Sequence, residues 1–390
     1  MAPSDLRNRI GDYVVTSLAG ETVRSYVPRP LPPSPPVDMA SLSTLVSEAM
    51  LALGRLDGVR AVAPSASLFL YMYVRKEALL SSQIESTQSS LSDLLLYENA
   101  EAPGAPMSDV EEVSNYVAAL NHGLRRIKGG FPLSLRLLRE MHRVLLSTGR
   151  GSTKEPGEFR RSQNWIGGSR PGNALFTPPP PERVLELMSD LEAFLHEKES
   201  GLPVIVKAGL AHLQFETIHP FLDGNGRLGR LLITLYLCTD GVLEEPLLYL
   251  SLYLKTHRRT YYALLQEVRE YGRWEAWLEF FLAGVRDVAR QAHEAARQIA
   301  AMFKNDAEKI GSLGRAAPIA RRVHEVMQQR PLLTIAKTAE LAQTTFPTAM
   351  NALQNLAALG IVSEITGQRR GRVFAYAQYL QILSEGTEPL

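Results

Sequence analysis

The stretch His219-Pro220-Phe221-Leu222-Asp223-Gly224-Asn225-Gly226-Arg227-Leu228-Gly229-Arg230 decides how this chain reads. Gly224 and Gly226 lack a Cβ, so the backbone around Asn225 can turn sharply and bring N–H groups against an anion. The apolar run that follows (Leu231, Leu232, Ile233, Leu235, Leu237) predicts a buried helix. The glycine loop then sits at a helix N-terminus, where free N–H groups and the dipole favour phosphate. Arg227 and Arg230, three apart, can grip one polyphosphate together. Asp223 can offer a hard oxygen to a magnesium ion bridging phosphates. His219 needs only a modest pKa to act as a general base.

With every specified position filled, HPFLDGNGR-x-x-R resembles the signature of Fic proteins. Upstream, Pro156-Gly157-Glu158-Phe159-Arg160 and Gln163-Asn164-Trp165-Ile166-Gly167 are similar to the segment leading into that family's flap, and Phe176-Thr177 to the flap's far side. Tyr261-Tyr262 resembles the tyrosine pair near the adenine, with Trp274 and Trp277 following. The resemblance spans roughly residues 20 to 285.

This likeness implies a protein adenylyltransferase that moves AMP from ATP to Ser, Thr or Tyr hydroxyls of target proteins, the chain itself included. By resemblance His219 takes the hydroxyl proton and Asp223 holds Mg²⁺. Gly224, Asn225, Gly226, Arg227, Leu228, Gly229 and Arg230 form the nucleotide seat, Tyr261 packs the adenine, and Phe176 and Thr177 pin the target segment. A homodimer is also implied. Other outcomes stay open on the same site: removal of AMP, or transfer of another nucleotide or of phosphocholine. The phosphate-transferring branch replaces the loop glycines and second arginine, all of which this chain keeps.

Ser81-Ser82-Gln83-Ile84-Glu85-Ser86 read alone is an ordinary exposed helix turn. It also resembles the family's inhibitory helix, in which Ser or Thr precedes a Glu by four and Gly or Asn follows. The resemblance implies that Glu85, with Ser81 on the same face, pairs with Arg230 and keeps ATP from binding productively. Ser86 departs from the Gly or Asn of that pattern, which puts the end of the helix in question.

Composition bounds the rest. At 390 residues two or three units are expected. Hydrophobic residues at 45% and charged residues at 21% exclude a disordered chain, and a net charge of +1 demands neither nucleic acid nor an anionic membrane. One cysteine, Cys238, excludes an intrachain disulfide and reads as a core residue. Neither a basic-then-apolar start nor a run of membrane-spanning length is present, so a cytoplasmic chain is expected.

The predicted fold is mainly α: a helical bundle with a short β-hairpin flap and a C-terminal winged helix-turn-helix. Four parts are expected: 1–108, a helical region with an inhibitory helix at about 65–88; 109–285, the catalytic core; 286–314, an exposed connecting helix and linker; and 315–390, the winged helix. Proline-rich 27–36 must be extended, and 103–107 reads as a loop. Helices are predicted over 39–56, 65–88, 90–97, 109–128, 133–146, 182–196 and 202–217. His212, with no second histidine at metal-ligand spacing, reads as a core residue. The C-terminal part favours helices over 319–328, 334–342 and 347–359, then a hairpin from 361–365 and 373–377. This part raises a transcriptional regulator with a Fic sensor as the alternative from another class. Its 8 Lys/Arg against 5 Asp/Glu, its recognition helix without Lys or Arg, and a basic cluster limited to Arg369, Arg370 and Arg372 make DNA the weaker partner and protein contact the stronger.

Overall fold

The computed structural model describes residues 7–18, 20–61, 66–98, 107–367 and 371–389. Two central helices position everything else. α7 (Val204–Ile218) is buried at every residue from Ile205 onward, and α8 (Asn225–Thr239) along nearly its whole length. Helices buried on every side must be sheathed by others. The sheath is α1 (Met39–Asp57), α2 (Ala66–Ile84), α3 (Leu91–Glu98), α4 (Met107–Lys128), α5 (Leu135–Leu145), α6 (Pro181–His196), the short α9 (Ser251–Thr256), α10 (Arg258–Tyr271) and α11 (Trp274–Gly311). Caps follow the sequence: Asp38 accepts from the N–H groups of Ala40 and Ser41 to start α1, and Ser134 accepts from Leu137 to start α5.

Three expectations are corrected. The stretch 286–310 is no exposed connector: it continues α11 without a break, and Val288, Ala289, Ala292, Ala296, Ile299 and Phe303 are buried, several against α1. Its alanines are small residues that let two long helices approach. Second, an N-terminal hairpin of β1 (Asp12–Leu18) and β2 (Glu21–Val27) was not foreseen. Its signal was the β-branched and aromatic content of Val14, Val15, Thr16, Val23 and Tyr26. Third, the 65–88 helix stops at Ile84. The N–H of Ser86 donates to Gln83 O and that of Thr87 to Ser82 O, while Ser86 sits at φ 78. This is a left-handed Schellman cap built on serine in place of glycine. The loop expected at 103–107 lies almost wholly outside the described residues, and α4 begins at Met107.

The proline-rich segment is not extended throughout: it bends at Leu31-Pro32 and Ser34-Pro35, both cis, and runs to the start of α11, where buried Arg9 donates to Pro35 O at 2.7 Å and pairs with Glu275 at 2.7 Å. At the C-terminal end come α12 (Ala317–Gln329), β3 (Leu332–Thr334), α13 (Ile335–Leu341), α14 (Phe346–Ala358), β4 (Ser363–Glu364), β5 (Val373–Ala375) and α15 (Ala377–Ser384). The sheet order is β3-β5-β4, all antiparallel. Helix, helix pair and hairpin stand in the order the sequence calls for; β3 and α15 are additions. Arg369 and Arg370 lie outside the described residues. Tyr376 donates to Asp306 of α11 at 2.5 Å, and Gln83 Nε2 donates to Thr387 O at 2.8 Å, so this part is bolted to both α11 and α2. Among the described residues no helix is long and apolar enough to cross a membrane. Cys238 is half-buried, and burial pushes its thiol up to about 12, so it stays protonated and inert.

Candidate active site

α7 stops where Pro220 can no longer donate, and His219 takes a left-handed turn at φ 51 to end it. Gly224, at φ 73, then starts α8. The loop between them is closed by Asn225: its Oδ1 accepts from Phe221 N and its Nδ2 donates to Phe221 O, both at 2.8 Å. The Asn225 amide is therefore spent on the loop and does not face a phosphate. Phe221 is fully buried.

His219 is half-buried, with Nδ1 enclosed and lacking a hydrogen-bond partner among the described residues. Burial first, then the positive charges of Arg160 and Arg269, push its imidazole down to about 3. The ring is neutral and its lone pair available at physiological pH. Asp223 Oδ1 accepts from the N–H of Gly224 at 2.6 Å, and the side chain remains partly exposed. Among the described residues no three His, Cys, Asp or Glu side chains gather at metal-ligand spacing. A lone carboxylate suits magnesium, which takes one or two protein oxygens and completes its shell with phosphate and water.

Arg227 and Arg230 are both buried, and carboxylates occupy them. Arg230 donates from Nε to Ser81 Oγ at 2.7 Å, and from Nη2 to Ser81 O at 3.0 Å and Glu85 Oε1 at 2.9 Å. Arg227 lies 3.1 Å from Glu85 Oε2 and donates to Glu112 Oε2 at 3.1 Å, yet its Nε and Nη2 make no directed hydrogen bond. Burial raises the pKa of Glu85, but Arg227 and then Arg230 outweigh it, and the carboxyl is held below its ordinary value. Arg150, half-exposed, adds a third guanidinium 3.6 Å from Glu112 and 3.9 Å from Glu85. Sequence reasoning missed Glu112 and Arg150, which belong to no motif. A Cβ on Gly226 would stand 2.5 Å from Glu85 Oε1. An anionic oxygen thus rests on the glycine loop at the N-terminus of α8.

Other expected nucleotide contacts turn inward. Leu228 is core. Gly229 lets α8 close on α7, since a Cβ there would meet Glu216 Oε1 at 2.7 Å. Its carbonyl accepts from His212 Nδ1 at 3.0 Å, so the neutral His212 ring receives the Tyr261 hydroxyl at Nε2, 2.9 Å away. His212 is a satisfied core histidine, as its spacing suggested. Tyr261 is buried with it against Trp277, whereas Tyr262 exposes 45% of its surface and senses the charges of Arg230 and Glu85. The accessible ring of the pair is Tyr262.

The flap forms around one bridge, with Ile166 N donating to Phe176 O at 2.8 Å and Phe176 N to Ile166 O at 3.1 Å. Phe176 and Thr177 are buried. The N-terminal hairpin pairs with them: Tyr26 N donates to Thr177 O at 2.9 Å, and at the tip Glu21 accepts from Arg170 at 2.9 Å and Gly172 N at 2.7 Å. Arg269 lies 3.8 Å over the Phe176 ring and donates to Thr217 Oγ1, tying the flap to the end of α7.

Residues 43–125 match the Fic/DOC family N-terminal model, and residues 132–237 match the Fic/DOC family model. Residues 132–237 are a Fic domain. The protein adenylyltransferase Fic of Aedes aegypti is 38% identical over 139 residues, covering 35% of this chain and 25% of that protein. Protein adenylyltransferase fic-1 of Caenorhabditis briggsae is 32% identical over 179 residues, or 44% and 32%. The chain thus spans between a quarter and a third of these curated relatives. A Fic family protein from Desulfovibrio desulfuricans G20 shares the fold, with a TM-score of 0.58 at 21% identity over 88% of this chain and 97% of that one. The N-terminal match takes in α2 and Glu85, and the second match takes in the loop that Glu85 touches.

Proposed function

We propose that this Fic protein is a protein adenylyltransferase restrained by Glu85. The observation that carries the reading is the seat of the Glu85 carboxylate, which lies on Gly226 between Arg227 and Arg230. An oxyanion already favoured there by two buried guanidiniums and a helix N-terminus marks where nucleotide phosphate would bind once the carboxylate leaves. Arg227's two undirected N–H groups and Arg150 are the further donors for the outer phosphates.

In the reaction a target hydroxyl oxygen attacks the α-phosphorus, the bond to pyrophosphate breaks, and His219 receives the hydroxyl proton. A base pushed down to about 3 is weak at rest; nucleotide phosphates beside it favour the imidazolium and bring its basicity up when substrate is bound. Asp223 would hold Mg²⁺, whose chemistry is to offset charge on the phosphates. Tyr262 offers the adenine a ring face. The flap, buttressed by the N-terminal hairpin, would align an extended target segment by main-chain pairing. The curated relatives' name, protein adenylyltransferase, supports the same reading.

The parts we assign are 1–108, 109–285 and 315–390, with 286–314 as the packed continuation of α11 rather than a separate connector, and with the last part as a winged helix that supports protein contact or a homodimer. The absence of Lys and Arg from α14 disfavours a duplex partner. Incubation with ATP labelled on the α- or the γ-phosphate, together with cell lysate, tests the reaction. Label from α alone on protein is expected; label from γ alone would replace adenylyl transfer with phosphate transfer.

A further inference from the structure

Two buried side chains outside the motif hold the ends of the His219–Asp223 loop. Arg160 donates from Nε to His219 O at 2.9 Å and from Nη2 to Pro179 O at 2.6 Å, and its own N–H donates to Pro220 O at 2.9 Å. His142 receives the N–H of Gly157 at Nδ1, 2.8 Å away. That bond fixes the tautomer, because an acceptor Nδ1 leaves the proton on Nε2. The Nε2–H then donates to Asp223 O at 3.0 Å. The ring also stacks on Phe221, centroids 3.8 Å apart and planes at 12°.

We infer that Arg160 and His142 are positioning residues that hold the base and the metal-binding carboxylate in one register. This inference rests on the adenylyl-transfer reading for its activity consequence. The physical need is clear. His219 is a non-glycine residue in the left-handed region, which costs about 1–2 kcal/mol and persists only where surrounding bonds over-determine it. Arg160 captures the carbonyl of that strained residue; His142 captures the carbonyl of Asp223 and, through Gly157, joins it to the segment that carries Arg160. The ring nitrogens of His142 and the guanidinium nitrogens of Arg160 are all spent on main-chain groups, so neither side chain is free to touch the reacting atoms. Both bonds are made by buried side chains, for which a missing partner is costly.

The test uses the full chain with Arg160→Lys, which keeps the charge and loses the fork, and His142→Phe, which keeps the stack and loses both hydrogen bonds. His142→Gln is the conservative rescue. Hydrogen exchange of residues 219–226 should quicken at least tenfold in the first two variants while α1 and α11 stay protected. The turnover number should fall at least tenfold with the KM for ATP within twofold of wild type, and His142→Gln should recover part of it. Unchanged exchange in 219–226, protection lost throughout the chain, or KM rising in step with the fall in turnover would each overturn the assignment. A wild type that transfers no AMP would sink the activity reading alone, because the exchange measurement still decides the positioning.

Discussion

The Glu85 carboxylate meets Arg230 Nη2 at 2.9 Å, and the same guanidinium is already anchored by Ser81 through Nε. Ser81 in the last turn of α2 and Glu85 just past its end therefore hold a single arginine between them. Glu85→Gly is expected to raise target and self-modification. A charge-assisted hydrogen bond of about 1.5–3 kcal/mol corresponds to roughly a ten- to hundredfold gain. The double variant Glu85→Gly with Arg230→Ala should lose that gain; equal rates in wild type and Glu85→Gly would remove Glu85 from control.

Ser86 occupies a cap position that glycine fills without strain. Ser86→Gly should relieve up to about 1 kcal/mol, partly offset by the freer unfolded chain. The melting temperature should rise and basal transfer should fall severalfold as Glu85 is held more firmly. A variant with higher basal transfer would contradict the link between the cap and the restraint.

His219→Ala should abolish transfer while ATP binding, followed by calorimetry, persists. Because the folded imidazole is pushed down to about 3, the base form survives acidification that would protonate an ordinary histidine near 6.5. The acid limb of kcat/KM is expected well below pH 6.5. A limb at 6.5 that vanishes in no histidine variant would assign the titration elsewhere.

The adenine contact separates Tyr261 from Tyr262. Tyr262→Ala should raise the KM for ATP severalfold with little change in melting temperature. Tyr261→Phe should leave KM alone and cost about 1 kcal/mol of stability through the lost bond to His212. The reverse pattern would restore Tyr261 as the nucleotide contact.

Acid stability has a calculable sign. His142 and His324 are pushed down to about 4 and His212 and His219 to about 3, chiefly by burial, so each takes up a proton on unfolding below 6.5. Buried Glu77 and Glu216 are pushed up to about 7 and work the other way, stabilising the fold at low pH and losing that contribution as pH rises through 7. Between about pH 4.5 and 6.5 the histidines outnumber the glutamates, so the unfolded chain binds more protons and stability should fall as pH falls. Denaturant midpoints at pH 7 and 5 check this; a higher midpoint at pH 5 would refute it.

What the sequence determined by itself is local. A glycine pair, a proline that ends one helix and an apolar run that starts the next all lie within a few residues, so the loop from His219 to Arg230 and its helix could be read directly. The helix periods of α4 to α6 were legible for the same reason: burial repeats along one chain segment. Tertiary structure decided which groups meet across sequence distance. Arg227 finds Glu112, 115 residues away, and Tyr26 finds Thr177, though no spacing rule links either pair. It also decided which of two adjacent tyrosines is exposed, because one step along a helix turns a side chain through about 100° and only packing against α7 and α11 selects the buried one. Ser86 shows the same division. Its propensity argued against a left-handed cap, but Glu85 reaches both arginines from that cap, and tertiary contacts outweigh the small local cost.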